Sequence, residues 1–526
     1  MTTIRDATFD VLSSHGMRTV FGNPGSNELL FLKDFPKDFR YILGLHEGVV
    51  VAMADGYSQA TGEPTMVNLH AAAGTGNAMG VLTNSVYSHS PLVITAGQQV
   101  RETVGQEVML ANMDATMLPK PLVKWSGEPL SASDVPRMIA QAIHMATLPA
   151  QGPVFVSIPY DDWDREAGEN AHYAGERRVQ SASALALEQL REIADELDAA
   201  DRPVIVFGPD VDASRANDDA IRLAEALGAP VWIAPSPGRC PFPNRHRLFR
   251  GVLPANVKAI AGHLSEHDVV LVIGAPVFRY HHYNPGRYIA EGTRVLHISS
   301  DPSEVARAPF GDAYLAPIKD SIARLAASVT PRRQAAASQT IAIPAGEDQA
   351  NRLHPDTVFR LINETAPQES IYVTESTSTA ESFWNNVDLA GQGSFYSPAA
   401  GGLGFGLAAA VGIQLACPHR RVIAAIGDGS ANFGITGLWT AAHFNIPVVF
   451  VILNNGTYGA LRRFSDALGA GETPGLDVPS IDFVSLAKGY GVNAQRVDNG
   501  QDLRLALEKA FAGNSPVLIE ARTYFA

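Results

Sequence analysis

Cysteine is almost missing from this chain: Cys240 and Cys417 are the only two in 526 residues. Two thiols do not form a disulfide framework for so long a polypeptide, and no metal-type cysteine spacing is present. A reducing compartment, the cytoplasm, is therefore expected. Basic charge is in deficit, with 40 Lys+Arg against 54 Asp+Glu and a formal net charge of −14. That argues against a nucleic-acid-binding surface, which would need a basic stripe. It leaves room for an anionic ligand, because a local site can differ from the global field. Long apolar runs are also lacking. The stretch from Asp268 to Val277 is strand length, too short to span a bilayer. The opening Met1-Thr2-Thr3-Ile4-Arg5-Asp6 lacks the basic and apolar regions of a signal peptide. Neither nucleic acid nor membrane is expected as a partner.

What is present is ordinary globular material, 46% hydrophobic and 18% charged. At about 150 residues per domain the length suggests three domains. Short β-branched runs alternate with amphipathic stretches, the pattern of parallel sheets flanked by helices. The first block has strand candidates Arg18–Phe21, Tyr41–Leu45, Thr65–His70, Leu92–Ala96 and Val154–Ile158. A polar stretch from Arg165 to Ser183 reads as a linker. The second block has Pro203–Phe207, Pro230–Ile233, Val269–Ile273, Val295–Ile298 and Ala313–Ala316, then a linker candidate, Arg333–Gln339. The third has Ile371–Thr374, Val422–Ile426, Val448–Leu453 and Val517–Ile519. The expected fold class is α/β, with domains over 1–180, 181–340 and 341–526.

Chemistry enters at the ends of two of these strands. Gly427-Asp428-Gly429-Ser430 closes one, and Asn454-Asn455-Gly456-Thr457 closes the next. Twenty-four residues lie between Gly429 and Asn454, enough for one crossover helix, expected over Asn432–Asn445, and two short loops. In open α/β sheets ligands bind beyond the carboxyl ends of strands. Mg²⁺ prefers hard oxygen ligands shared with phosphates. Asp428, Asn455 and a backbone carbonyl near Thr457 meet that demand. The bland alternative is two tight turns with no ligand. Thr374-Glu375-Ser376-Thr377-Ser378 follows a strand and opens a helix, which suits either a phosphate seat or simple capping. Glu47 stands between the Tyr41–Leu45 strand and an apolar helix, an unusual setting for a carboxylate. Alone, it reads equally as a helix N-terminal Glu complementing the dipole. Asn23-Pro24-Gly25-Ser26 and His70 also follow strands, and so point to the same crevice as Glu47. Ser26 could be a helix N-cap and His70 a structural histidine.

The Gly-Asp-Gly and Asn-Asn pair at this spacing resembles the cofactor motif of thiamine-diphosphate-dependent enzymes. Glu47 followed by Ala54-Asp55-Gly56-Tyr57 is similar to their glutamate pattern, and Gly401-Gly402-Leu403-Gly404 resembles the loop beneath the thiazolium. Within the family the whole chain resembles the benzoylformate decarboxylases, through Phe21–Glu28, His70–Asn77, Val277–Tyr283 and Ala400–Leu461. The resemblance implies thiamine diphosphate with Mg²⁺, or Ca²⁺ in its place. It implies an N-terminal pyrimidine-binding domain carrying the catalytic Glu47, a central Rossmann-like domain and a C-terminal diphosphate domain. Ser26, His70 and His281 would act on the substrate. Thr377, Ser378, Gly401, Leu403, Gly427, Gly429, Ser430 and Tyr458 would contact the cofactor, and Asp428, Asn455 and Thr457 the metal. Leu110, Thr377, Ser397, Ala460, Leu461, Phe464 and Leu476 would line the pocket. The family pattern has an aromatic side chain near Ser397, so this position bears on substrate choice.

The implied reaction is non-oxidative decarboxylation of an aromatic 2-oxo acid, benzoylformate to benzaldehyde and CO₂, through a thiamine diphosphate ylid. Aldehyde carboligation is a possible second activity. The implied assembly is a homo-oligomer, at least a dimer and expected to be a tetramer, with active sites between subunits. Two alternatives stay open: a related 2-oxo-acid decarboxylase or carboligase with another substrate, and a non-catalytic α/β binding protein. Pyruvate-type relatives carry an adjacent His-His pair in the first domain, and residues 100–120 hold none. Gly74-Thr75-Gly76-Asn77-Ala78-Met79-Gly80 weakly resembles a dinucleotide loop, and the second block a flavin-binding domain. Neither is matched by an acidic ribose partner or any other feature that forces it. A faint echo links Ala71–Asn77 with Ala399–Phe405.

Overall fold

The computed structural model describes residues 2–281, 283–332 and 346–525. The linker expected at Arg333–Gln339 lies outside them. The fold consists of three parallel, helix-flanked sheets. In the first, the strands run side by side in the order Arg40–Leu43, Thr19–Gly22, Thr65–Leu69, Leu92–Gln98, Val154–Pro159 and Trp125–Gly127. All pair in parallel. The chain leaves Thr19–Gly22 towards one neighbour and later returns to its other side. The carboxyl ends of Thr19–Gly22 and Thr65–Leu69 therefore flank a topological switch point, where a crevice opens in such sheets. The second sheet runs Asp312–Leu315, Arg294–Ser299, Val269–Ile273, Pro203–Phe207, Val231–Ile233 and Phe249–Val252. Alternate residues along a strand face opposite sides. Ile205, Phe207, Leu271 and Ile273 accordingly enter one core, and Val204, Val206, Val270 and Val272 another. In the third, Ile371–Glu375, Val422–Gly427, Val449–Asn454, Val517–Arg522 and Asn493–Val497 lie side by side in parallel.

By compactness the chain forms two units. One comprises Met1–Gln180, Gly346–Phe383 and Pro398–Ala526; the other comprises Ser181–Ala345 and Trp384–Ser397. Inside the second unit, Asn244 holds the Trp384–Ser397 segment by accepting from the Leu389 amide at 2.8 Å and donating to the Val387 carbonyl at 2.7 Å. The buried Arg239–Asp212 pair (2.7 Å) does the same, with Asp212 also accepting the Gly393 amide at 2.9 Å.

Four expectations need correction. The helix expected over Asn432–Asn445 is two helices, Asp428–Gly434 and Gly437–His443, and the first begins at Asp428 itself. Gly74–Gly80 is no loop: it lies inside the helix Ala71–Tyr87, where a phosphate could not approach successive amides. That also removes the echo with Ala399–Phe405, since Gly401 and Gly404 take positive φ and the helix starts only at Phe405. The polar stretch 165–183 contains a short helix, Tyr173–Glu176. The strands at Trp125–Gly127, Phe249–Val252, Phe395–Tyr396 and Asn493–Val497 were not foreseen, being short or polar.

Within the first unit, the helix Glu47–Thr61 crosses the helix Phe405–Ala416 at backbone distance. A Cβ on Gly412 would lie 1.8 Å from the Met53 carbonyl oxygen, and one on Gly56 2.4 Å from that of Ala409. Only glycine allows this approach. Overpacking a tight contact costs about 1–3 kcal/mol, and more where backbone must move. Gly412→Ala should therefore lower the thermal unfolding midpoint clearly below wild type; an unchanged midpoint would contradict this packing.

Candidate active site

Glu47 is the first residue of its helix, whose Gly48 amide donates to His46 Nδ1 at 3.1 Å. The carboxylate is only 7% exposed. Asn23 Nδ2 donates to Oε1 at 3.1 Å and Asn77 Nδ2 to Oε2 at 3.0 Å. These amides come from the loop after Thr19–Gly22 and from the helix after Thr65–Leu69, the two sides of the switch point. His70 sits beside them as the residue preceding that helix, with its Nδ1 2.8 Å from Glu28 Oε2. Ser26 opens a short 3₁₀ turn and is exposed, its hydroxyl donating to Asn27 Oδ1 at 3.2 Å. The structure thus gathers Ser26, Glu47 and His70 at the carboxyl end of one sheet.

In the third sheet Gly427 pairs with Leu453, so Asp428 and Asn455 follow adjacent strand ends. Asp428 Oδ1 accepts its neighbour Gly429's amide at 2.9 Å, and Oδ2 accepts that of Gly456 at 2.6 Å. Burial pushes this carboxyl above the usual carboxylate range, against the pull of those amides. Asn455 Oδ1 accepts the Thr457 amide at 3.0 Å, and Thr457 Oγ1 donates to the Leu476 carbonyl at 2.8 Å. Arg462 Nε donates to the same Thr457 hydroxyl at 2.6 Å. A side chain at Gly429 would strike the Tyr458 ring at 2.5 Å. Ser430 lies in the first turn of the Asp428–Gly434 helix.

Thr377 and Ser378 form a 3₁₀ turn ahead of Ala380–Asn386, rather than opening that helix directly. Gly401 and Leu403 belong to a loop fixed from two sides. Asn84 donates to the Gly402 carbonyl at 2.7 Å and accepts the Ala400 and Gly402 amides at 3.1 and 3.2 Å. Glu375 accepts the Gly404 and Gly406 amides, both at 2.8 Å. Ala460, Leu461 and Phe464 lie on the helix Gly459–Leu468, beside the buried Leu476, whose carbonyl accepts the Tyr458 amide at 2.8 Å. Leu110 has a φ of 68° in the first domain. His281 and Ser397 belong to the other compact unit, where their amides donate to Ala255 and Gly238 carbonyls at 2.9 Å each. Sequence reasoning passed over Glu28, Asn77, Asn84 and Glu375. A Glu within a strand-end loop, or an Asn inside an apolar helix, was the available signal.

Three family models cover the chain: the N-terminal, central and C-terminal domains of thiamine pyrophosphate enzymes match residues 2–118, 190–325 and 375–521. The chain belongs to the thiamine pyrophosphate enzyme family. It is 54% identical over 523 residues to a benzoylformate decarboxylase from Pseudomonas aeruginosa, covering 99% of each. Among solved structures it is similar to a thiamine diphosphate-dependent 4-hydroxybenzoylformate decarboxylase from Rhodococcus jostii. That match has 58% identity and a TM-score of 0.98, covering 100% of this chain and 99% of that one. A benzoylformate decarboxylase from Polynucleobacter necessarius shares 36% identity with a TM-score of 0.97, covering 100% and 99%. No helix among the described residues is long and apolar enough to cross a membrane.

Burial also pushes the Glu375 carboxyl up, from 4.5 to about 8, against the amides that favour its ionised form. The folded state then binds this proton more tightly than the unfolded chain. Its contribution is fully present below about pH 4.5 and is lost as pH rises through about 8. Thermal midpoints across that range should fall less steeply for Glu375→Gln than for wild type; parallel curves would contradict the shift.

Proposed function

We propose that this protein is a carboxy-lyase that removes CO₂ from an aromatic 2-oxo acid, benzoylformate or its 4-hydroxy form, releasing the aldehyde. The observation that carries the reading is Glu47, a buried carboxylate held by two side-chain amides at a sheet switch point. Its chain matches, end to end, proteins named for those substrates.

The donor set fits the cofactor. Asp428, Asn455 Oδ1 and the Thr457 carbonyl offer hard oxygens of the kind Mg²⁺ takes, and Ca²⁺ would suit the same set. Thr377, Ser378, Gly427, Gly429, Ser430 and Tyr458 would hold the diphosphate end, and Gly401 and Leu403 the ring. Bound thiamine diphosphate supplies a nucleophilic carbon and an electron sink. Glu47 would hold the aminopyrimidine by a hydrogen bond. Ser26 would orient the substrate carboxylate. His70, with Nδ1 turned to Glu28, would carry a transferable proton on Nε2 for the carbon that has lost CO₂. By resemblance, His281 would assist aldehyde release. Leu110, Ala460, Leu461, Phe464 and Leu476 would shape an aromatic-sized pocket. Aldehyde carboligation would use the same groups.

A homodimer is the minimum unit in this reading and a tetramer the expected one. The exposed apolar side chains Met109, Leu110, Met113, Met117, Phe433 and Leu461 support association.

Aldehyde release from a panel of benzoylformate, 4-hydroxybenzoylformate and pyruvate should favour the aromatic acids by orders of magnitude; preference for pyruvate would overturn the substrate assignment. Glu47→Gln should lower turnover by orders of magnitude at unchanged folding, and near-wild-type turnover would sink the role of Glu47. Asp428→Ala should abolish tight cofactor binding in a titration of apoprotein with thiamine diphosphate and Mg²⁺; wild-type affinity would remove Asp428 from the metal site.

A further inference from the structure

We infer that Glu28 is the positioning residue for His70, fixing which ring nitrogen carries the proton offered to substrate. The inference rests on the decarboxylase reading for its consequence, but on geometry for its substance. Glu28 is 1% exposed. Its Oε2 lies 2.8 Å from His70 Nδ1 and accepts the Gly25 amide at 2.9 Å. Its Oε1 accepts the Gly97 amide at 2.9 Å and the Ala71 amide at 3.4 Å. These amides come from the ends of three neighbouring strands, Thr19–Gly22, Thr65–Leu69 and Leu92–Gln98. The carboxylate is therefore fixed by backbone whether or not the histidine is there. Three amide N–H groups thus already point at its two oxygens, which act as acceptors.

Oxygens engaged as acceptors by backbone amides accept from the ring as well, so the nitrogen facing Oε2 is the N–H. In neutral His70 the proton is on Nδ1 and the lone pair on Nε2. A proton picked up by the ring sits on Nε2, and its departure leaves the ring in the same tautomer. His70 can thus cycle without turning over, which is the use of a carboxylate behind a histidine. The surroundings are cut to this pair. A Cβ on Gly25 would lie 2.1 Å from His70 Nδ1, and one on Gly97 2.4 Å from Glu28 Oε1. Tyr41 faces the same carboxylate. Burial pushes its phenol up, and the Glu28 charge pushes it further the same way.

A double-mutant cycle on the full-length holoenzyme tests this, with aldehyde release from benzoylformate as readout. Glu28→Gln keeps the volume and removes the charge. It should lower kcat by about 10- to 100-fold, the usual effect of losing the partner behind a functional histidine, with KM little changed. In the His70→Ala background the same substitution should add almost nothing, because Glu28 acts through His70. A loss that multiplies in full in that background would overturn the proposal and make Glu28 merely structural. The tautomer gives a second test that needs no variant at Glu28. Nitrogen-labelled histidine spectra of wild type against His70→Ala should place the neutral-ring proton of His70 on Nδ1, and a proton on Nε2 would overturn the proposal. Failure of the decarboxylase reading would show separately, as wild-type protein that releases no aldehyde from any aromatic 2-oxo acid, while the tautomer still decides the role of Glu28.

Discussion

A carboxyl group taken out of water must be given hydrogen-bond partners, and the candidate site is organised around four such groups. Glu28, Glu47, Glu375 and Asp428 all lie at or just beyond strand ends, and all are buried. Each draws donors from a different element: backbone amides of three strand ends for Glu28, asparagine side chains for Glu47, the start of a helix for Glu375, a turn amide for Asp428. Leaving any of them without donors would cost several kcal/mol. The loops after the strands are therefore held where their acids require. The same bonds that stabilise the acids fix the positions of Ser26, His70, Leu403 and Asn455.

The three-sheet plan was legible because its central strands are uninterrupted apolar runs, such as Val269–Ile273 and Val422–Gly427, buried on both faces. The edge strands were not. Asn493–Val497 exposes most of its side chains and reads as a polar loop, and Trp125–Gly127 has only three residues. Gly74–Gly80 looked like a loop because glycine carries no helix signal; apolar neighbours and the contacts of the Ala71–Tyr87 helix overrode its propensity. The pair Asp428 and Asn455 was readable since both close strong strands at crossover spacing. Asn84 and Glu375 were not, because their partners in the Gly401–Gly404 loop are close only after folding.

The first and third domains meet where the Glu47 helix crosses the helix that follows the Gly401–Gly404 loop, with glycines at the crossing. Both helices begin at a candidate cofactor-binding segment. The packing therefore sets the direction of these two segments relative to each other. In the central domain a sheet of similar design carries His281, while the returning segment up to Ser397 is clamped by Asn244 and Asp212.

The most direct test is a crystal structure of the assembled protein with thiamine diphosphate and Mg²⁺ bound. The account predicts the metal on Asp428, Asn455 and the Thr457 carbonyl, with the aminopyrimidine within hydrogen-bond reach of Glu47 from this subunit or its neighbour. A cofactor that leaves Glu47 bonded only to Asn23 and Asn77, or a metal held by other residues, would contradict it.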